Sequence, residues 1–361
     1  MLDIANELNI SPGTVSKALN GKNGVSKKMR ERVLDAAKRS GYSINVIAQG
    51  LSRKPTKIAV IIHGVWKEFY GPIQNGIEME LRSLIDQKFS GNFITMPALR
   101  DAAEVFEETL DGFIHGGERP DAIIICPYVE GKYVGRLDAL HEKGVKIVLV
   151  GLAHQRDKCF SRIRIASEMS GKMAAEYAGL FCGQKFSCAV FIGNKDVEDH
   201  RRKAENFQQA AAESNLSVTG VYETQDDVDI AYLLTKKVIQ SNPDLGMIYV
   251  ATSNSVAVCK CILDLQLSDR IKIIATDIFP DMGRYVEKGL ILATIYQNTL
   301  KMGRMAVKLI YDSVTKGEPM DEETLIFPHL VLRSNYSVYS GYLKKAEEKT
   351  VSDFYDKNET V

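Results

Sequence analysis

The chain has 361 residues, 45% hydrophobic and 25% charged, a balance that excludes a disordered, collagen-like or disulfide-scaffolded chain and leaves length for two or three packed units. Its 46 basic and 46 acidic side chains cancel, which taken alone gives no reason to expect an anionic partner. The cancellation conceals a division. Residues 1–56 carry ten basic and four acidic side chains, leaving 36 and 42 for the other 305 residues. A basic N-terminal module joined to an acidic body points to a polyanion at one end.

Six cysteines (Cys126, Cys159, Cys182, Cys188, Cys259, Cys261) form neither a C-x-x-C pair nor a zinc-ligand spacing, so reduced thiols in a cytoplasmic protein are expected, with no metal and no cofactor. No basic leader followed by an apolar core opens the chain, and no apolar run reaches the ~18 residues of a membrane span. Neither export nor membrane insertion is expected.

In chain order, residues 1–44 read as short helices separated by turns. Residues 2–8 place Ile4, Ala5 and Leu8 on one face. Asn9-Ile10-Ser11 forms a turn, and Ser11-Pro12 is an N-cap followed by proline at the first helical position, which starts a helix through Asn20. Val15 and Leu19 face the first helix, with Gly13, Thr14, Ser16 and Lys17 exposed. A third helix follows the Ser26 cap over 27–39, with Val33, Leu34 and Ala37 inward. Helix, short turn, helix, with small polar residues opening the second helix, is a geometry that fits a DNA major groove.

From Lys57 short apolar runs at 58–62, 122–126, 145–150, 188–192, 246–250 and 271–275 alternate with longer amphipathic stretches. Such runs suit parallel strands buried on both faces, and the segments between them suit crossover helices. About nine strand-helix units exceed one core, so two doubly wound parallel sheets are expected, with 160–165 as a crossing between them. Ligands then belong beyond the carboxyl ends of the strands. Residues 341–361 read as a charged, solvated tail.

The N-terminal residues carry a resemblance. Asp3-Ile4-Ala5, Ile10-Ser11-Pro12-Gly13-Thr14-Val15-Ser16-Lys17-Ala18-Leu19-Asn20-Gly21, Val25-Ser26, Arg30 to Ala37 and Gly41-Tyr42 resemble the DNA-binding headpiece of the lactose-repressor (LacI/GalR) family of transcription regulators. The resemblance implies that Pro12, Gly13 and Lys17 read bases and that Ser11, Thr14, Ser16 and Asn20 contact phosphates or bases. Pro12 and Gly13 offer no side-chain hydrogen bond, so sequence preference should lean on Lys17. Residues 45–51 resemble the family's hinge helix, which implies that Asn45, Ala48 and Leu51 meet the minor groove, Leu51 as a wedge between base pairs. Ile44 stands where the family usually has proline.

The remainder resembles the type I periplasmic-binding-protein fold that the family uses to sense small molecules. Phe69-Tyr70, Gly76-Ile77-Glu78, Gln297, Gly303-Arg304 and Ala306 carry this resemblance. It implies a cleft lined by His63, Trp66, Phe69, Tyr70, Tyr128, Lys203, Thr252, Asp277 and Gln297, a set suited to a polar, ring-bearing ligand. Asp277 directly follows the 271–275 strand. Lys203 replaces the family's arginine, with Arg201 and Arg202 beside it; Ala166 stands where many relatives have aspartate, and Thr252-Ser253 replaces Asn-Asp. Three consecutive cations and one acidic contact fewer open the expectation of an anionic or phosphorylated ligand.

There is no P-loop, no G-x-G-x-x-G after the first strand, no H-E-x-x-H and no G-x-S-x-G, and the six histidines lack ligand spacing. The expectation is a ligand-responsive repressor, not an enzyme, controlling carbohydrate uptake or metabolism and binding a pseudo-palindromic DNA operator as a homodimer. Its divisions are a helix-turn-helix headpiece (1–44), a hinge and linker (45–56), a two-lobed effector body (57–340) and a tail (341–361). The rivals are a transporter's solute-binding protein, which predicts a signal peptide and no headpiece, and a sugar-processing α/β enzyme, which predicts a phosphate loop or paired carboxylates after the strands.

Overall fold

The structure is a computed structural model that describes residues 1–19, 24–40, 54–64, 67–97, 99–126, 133–151, 160–182, 185–341 and 343. Three helices open the chain: α1 (Leu2–Leu8), α2 (Pro12–Leu19) and α3 (Lys27–Arg39). Asn9 ends α1 in the left-handed region at φ 53°, and its N–H returns to the Ala5 and Asn6 carbonyls, a conformation asparagine tolerates better than most residues. Ser11 Oγ accepts from Thr14 N at 3.0 Å and Ser26 Oγ from Met29 N at 3.3 Å, so both expected caps are in place. Ile4, Ala5, Val15, Ala18, Val33, Ala36 and Ala37 form a small core, closed by Leu8, Ile10, Leu19, Val25 and Met29. Leu34 departs from expectation: it is 46% exposed, and Ala36 takes the inward position. The reason is rotational, since two partner helices contact α3 along the strip through Val33, Ala36 and Ala37, and Leu34 lies off that strip.

The body holds two six-stranded sheets. Its elements are β1 (Thr56–His63), α4 (Lys67–Ser83), β2 (Phe89–Met96), α5 (Leu99–His115), β3 (Ala122–Ile125), α6 (Val134–Glu142), β4 (Lys146–Val150), β5 (Ser161–Ile165), α7 (Ser167–Cys182), β6 (Ser187–Ile192), α8 (Glu198–Glu213), β7 (Val218–Glu223), α9 (Val228–Ser241), β8 (Leu245–Val250), α10 (Ser255–Asp264), β9 (Lys272–Thr276), α11 (Gly283–Glu287), β10 (Ile291–Tyr296), α12 (Thr299–Lys316), β11 (Glu323–Ile326) and β12 (His329–Leu332). The first sheet runs β11-β5-β4-β3-β1-β2, all parallel; the second runs β12-β10-β9-β8-β6-β7, with only β12 antiparallel. This is the expected α/β body of two doubly wound sheets, resembling the type I periplasmic-binding-protein fold, behind an N-terminal helical segment.

Helices cover both faces of each sheet, so most inner strands are largely apolar: β3, β6 and β8 are buried at every residue. Residues 160–165, expected as a crossing, instead contain β5, paired with β4 and β11. The passage to the second lobe comes one residue later, at Ala166. The chain returns after β10, and α12 packs on α4 of the first lobe. Glycine permits that contact: a Cβ on Gly76 would lie 2.1 Å from the Leu300 carbonyl oxygen, and one on Gly303 2.0 Å from that of Ile73. A last crossing follows β11, so three strands of chain join the lobes.

Candidate functional site

The carboxyl ends of both sheets face a common cavity of about 120 Å³ between the lobes. Strand ends supply most of its wall. Ile165 ends β5 and Gly151 follows β4; in the second lobe Asp226 lies beyond β7, Thr252 and Ser253 beyond β8, Asp277 beyond β9 and Gln297 beyond β10. The first turns of helices add Phe69 and Tyr70 from α4 and Asp199 and His200 from α8, whose second turn adds Lys203. Side chains set at strand ends and helix starts are held by the rigid scaffold beneath them.

The aromatic side is built by Phe69 and Tyr70, edge-to-face at 5.1 Å between ring centres. His63, the last residue of β1, is buried with its ring 5.5 Å from Tyr70; it backs Tyr70 and does not line the cavity. Burial lowers its pKa. Across the cavity, Asp277 has a left-handed backbone at φ 61°. That turn aims its carboxylate back at the next strand, where it accepts from Gln297 N at 3.0 Å and Gln297 Nε2 at 2.5 Å. Thr252 donates its hydroxyl to Asp226, and Ser167 donates to Asp199 at 2.9 Å.

Lys203 is the cation among the described lining residues, 4% exposed and 3.5 Å from the Ala251 carbonyl. Burial lowers its pKa, opposed by the charges of Asp199, Asp277 and Asp226. Burial likewise raises Asp277 and Asp199, with Lys203 pulling both down. His200 Nδ1 accepts from Asn194 N at 3.1 Å, and burial, reinforced by Lys203, brings its pKa down to about 4. The ring is therefore neutral near pH 7, with its proton on Nε2.

Arg201 is a correction. It lies on the outer face of α8, 47% exposed in its side chain, and pairs with Glu205 at 3.6 Å. Arg202 pairs with Glu168 and Glu198. Helical geometry separates the three consecutive cations by about 100° each, so only one faces the cavity. The basis for an anionic ligand goes with them, because Lys203 meets three carboxylates. Sequence reasoning missed Asp199, His200 and Asp226. The first two stand four and three residues before Lys203, one helical turn away on the same face; Asp226 follows a strand whose residues are all half-buried and lack a continuous apolar run. Trp66 and Tyr128 lie outside the described residues.

At the N-terminal module, Ser11, Pro12 and Gly13 are exposed at the start of α2 and Lys17 in its last turn, whereas Thr14 and Ser16 are half-buried. Ser11 and Thr14 share a 2.9 Å hydroxyl contact. Asn20, Asn45, Ala48 and Leu51 lie outside the described residues. Among those described, no helix is long and apolar enough to cross a membrane, and no three His, Cys, Asp or Glu side chains converge to hold a metal.

Two lobes closing on a cleft between strand ends define a class, and comparison with known families agrees. The "Periplasmic binding protein domain" family matches residues 58–319, and the chain belongs to it. Residues 1–45 match the family described as "Bacterial regulatory proteins, lacI family". The chain is similar to Catabolite control protein A of Priestia megaterium, 24% identical over 91% of this chain and 96% of that one. It is also similar to the HTH-type transcriptional regulator pepR1 of Lactobacillus delbrueckii subsp. lactis, 21% identical over 92% and 95%. In fold it is similar to a periplasmic ribose ABC transporter protein of Conexibacter woesei, with a TM-score of 0.72 at 16% identity over 81% and 97% of the two chains. A solute-binding protein of Actinobacillus succinogenes with bound D-allose has a TM-score of 0.71 at 17% identity over 79% and 100%. The relatives are regulatory and solute-binding proteins.

Proposed function

We propose that the chain is a cytoplasmic, sequence-specific DNA-binding repressor of carbohydrate uptake or metabolism. In this reading residues 1–44 read an operator, 45–56 couple, 57–340 bind a small polar effector and dimerise, and 341–361 form a tail. The observation that carries it is the joining, in one chain, of a lacI-family segment to a periplasmic-binding-protein domain, with a regulator aligned over 91% of this chain and 96% of its own length. The exposed start of α2 and the basic excess of residues 1–56 support it from the physical side.

The mechanism is linkage. A homodimer places two headpieces about one helical turn of DNA apart, on the two halves of a pseudo-palindrome. An effector that favours one closure of the lobes changes that spacing, and a coupling of about 1–3 kcal/mol changes operator affinity roughly 5- to 150-fold. Lys17, Ser11 and the Pro12-Gly13 backbone meet the major groove, and Leu51 enters the minor groove.

Selection of bound fragments from random DNA by the full chain tests the reading. An enriched pseudo-palindromic sequence is expected, and recovery of fragments without any shared sequence overturns it. On the selected site, Leu51→Ala should weaken binding and reduce DNA bending with effector affinity retained; unchanged affinity and bending would remove the wedge.

A further inference from the structure

The cleft has a charge imbalance that its reading as an effector site does not resolve. Lys203 faces Asp199, Asp226 and Asp277, with His200 neutral beside them. Neither neighbouring arginine helps, since Arg201 is turned to solvent and Arg202 is held by Glu168 and Glu198. Closing the lobes over a neutral ligand would leave two carboxylates uncompensated as water leaves, and an uncompensated charge in such a site is costly. A metal ion does not supply the missing charge, because these carboxylates surround the cavity without converging on one point.

A second observation is independent of charge. Gln297 is 3% exposed, and its Nε2 is committed to Asp277, while its buried Oε1 has no donor among the described residues. It lines the cavity, so the missing donor belongs to whatever enters. Asp226 and Asp199 use Oδ1 for Thr252 and Ser167, and the Oδ2 of each has no donor among the described residues. The walls therefore offer an excess of acceptors. Lys203 is a donor with a single long contact at 3.5 Å, beside the Nε2–H of His200. Phe69 and Tyr70 add aromatic surface, which favours ring C–H bonds and also cations.

We propose that the effector is a protonated amine carried on a polyhydroxylated ring, the chemistry of an aminohexose. Its ammonium group pairs with Asp226 and Asp199 through the Oδ2 of each, its hydroxyls donate to Gln297 Oε1 and accept from Lys203, and its ring lies on Phe69 and Tyr70. This rests on the reading of the cleft as the effector site and narrows it: the cation separates this ligand from neutral hexoses and from sugar phosphates.

The test uses the full chain and calorimetric titration at pH 7 with D-glucosamine, D-galactosamine and D-mannosamine, each beside its parent hexose, its N-acetyl form and glucose 6-phosphate. At least one free amine should bind more tightly than its parent hexose, N-acetylation should abolish the gain, and the phosphate should not bind. Asp226→Asn keeps the left-handed backbone at this position, φ 54°, because asparagine tolerates it. It should lower the amine-to-parent affinity ratio at least about tenfold, and Asp199→Asn serves equally should the first variant misfold. Equal or tighter binding of a neutral hexose or the phosphate, no binding by any of the three amines, or an unchanged ratio in a folded variant overturns the proposal. A neutral sugar that binds and shifts operator affinity would leave the regulator reading standing. Failure of the DNA selection would overturn that reading, whatever binds the cleft.

Discussion

His200 shows how one side chain's surroundings set a measurable property of the whole chain. Its Nδ1 is occupied by the Asn194 amide, Lys203 lies one turn along the helix, and burial brings its pKa to about 4 from an ordinary 6.5. The folded state thus binds this proton later than the unfolded state, so the stability that His200 contributes is complete above pH 6.5 and is lost as pH falls towards 4. Asp199 and Asp277, both raised, take up protons in the folded state and act in the opposite sense, so the variant comparison isolates the histidine. Relative to His200→Gln, the wild type should lose up to about 1.4 kcal/mol per pH unit in that window, read from urea unfolding at several pH values. Parallel curves would show that the ring titrates normally. At this scale Asp277 was legible because it directly follows a buried strand, whereas Thr252 and Gln297 were expected only through the family resemblance; all three line the cavity. Arg201 was misjudged, because the inward face of α8 is decided by packing against α7, which no local run of residues encodes.

Helix pairs are where small residues outweigh large ones. Gly76 and Gly303 let the backbones of α4 and α12 meet, each occupying the space that a side chain on the other helix would need. Gly303→Ala gains up to about 1 kcal/mol of helix propensity but places a methyl 2.0 Å from a backbone carbonyl, which only a shift of the helix relieves. A net loss of about 1–3 kcal/mol is expected, measured by denaturant unfolding; a neutral or stabilising outcome would mean that the pair is loose. In the headpiece, Ser26→Ala should cost about 1 kcal/mol through the lost cap, visible as a lower melting midpoint for that segment. The inner strands β1, β3, β4, β6, β8 and β9 were legible as continuous apolar runs, since burial on both faces leaves no alternation to obscure them, whereas β5, interrupted by Arg162 and Arg164, read as a crossing and β10 was missed. Strands β2, β7, β11 and β12 were not legible, because they sit at sheet edges, where half-buried and exposed positions interrupt the pattern. The same omission hid Asp226, whose place in the cleft follows from β7.

Across the whole molecule, the lobes are joined by ion pairs as well as by chain. Arg164 on β5 of the first lobe contacts Glu323 on β11 and Glu168 at the start of α7, and Glu168 in turn meets Arg202 on α8 of the second lobe. Glu168 is thus shared by one arginine from each lobe. Its pKa is lowered on balance, because its own backbone amide, Arg164 and Arg202 together outweigh the burial that raises it. Glu168→Gln keeps the size and removes the charge. It leaves the two guanidinium groups closer to mutual repulsion, though Glu198 and Glu323 still hold them. Partial exposure moderates the cost, so a loss of about 1–2 kcal/mol in unfolding free energy is expected. The more telling measurement is ligand affinity. No part of Glu168 lines the cavity, so a purely local role predicts unchanged binding of any ligand that the wild type binds. Because the pair spans the crossing between the lobes, a role in their closure predicts a change in that affinity and, in the proposed regulator, a change in the ligand's effect on operator binding, a coupling that must read the same from either site. Unfolding free energy reduced with both binding constants unchanged would assign these ion pairs to stability alone.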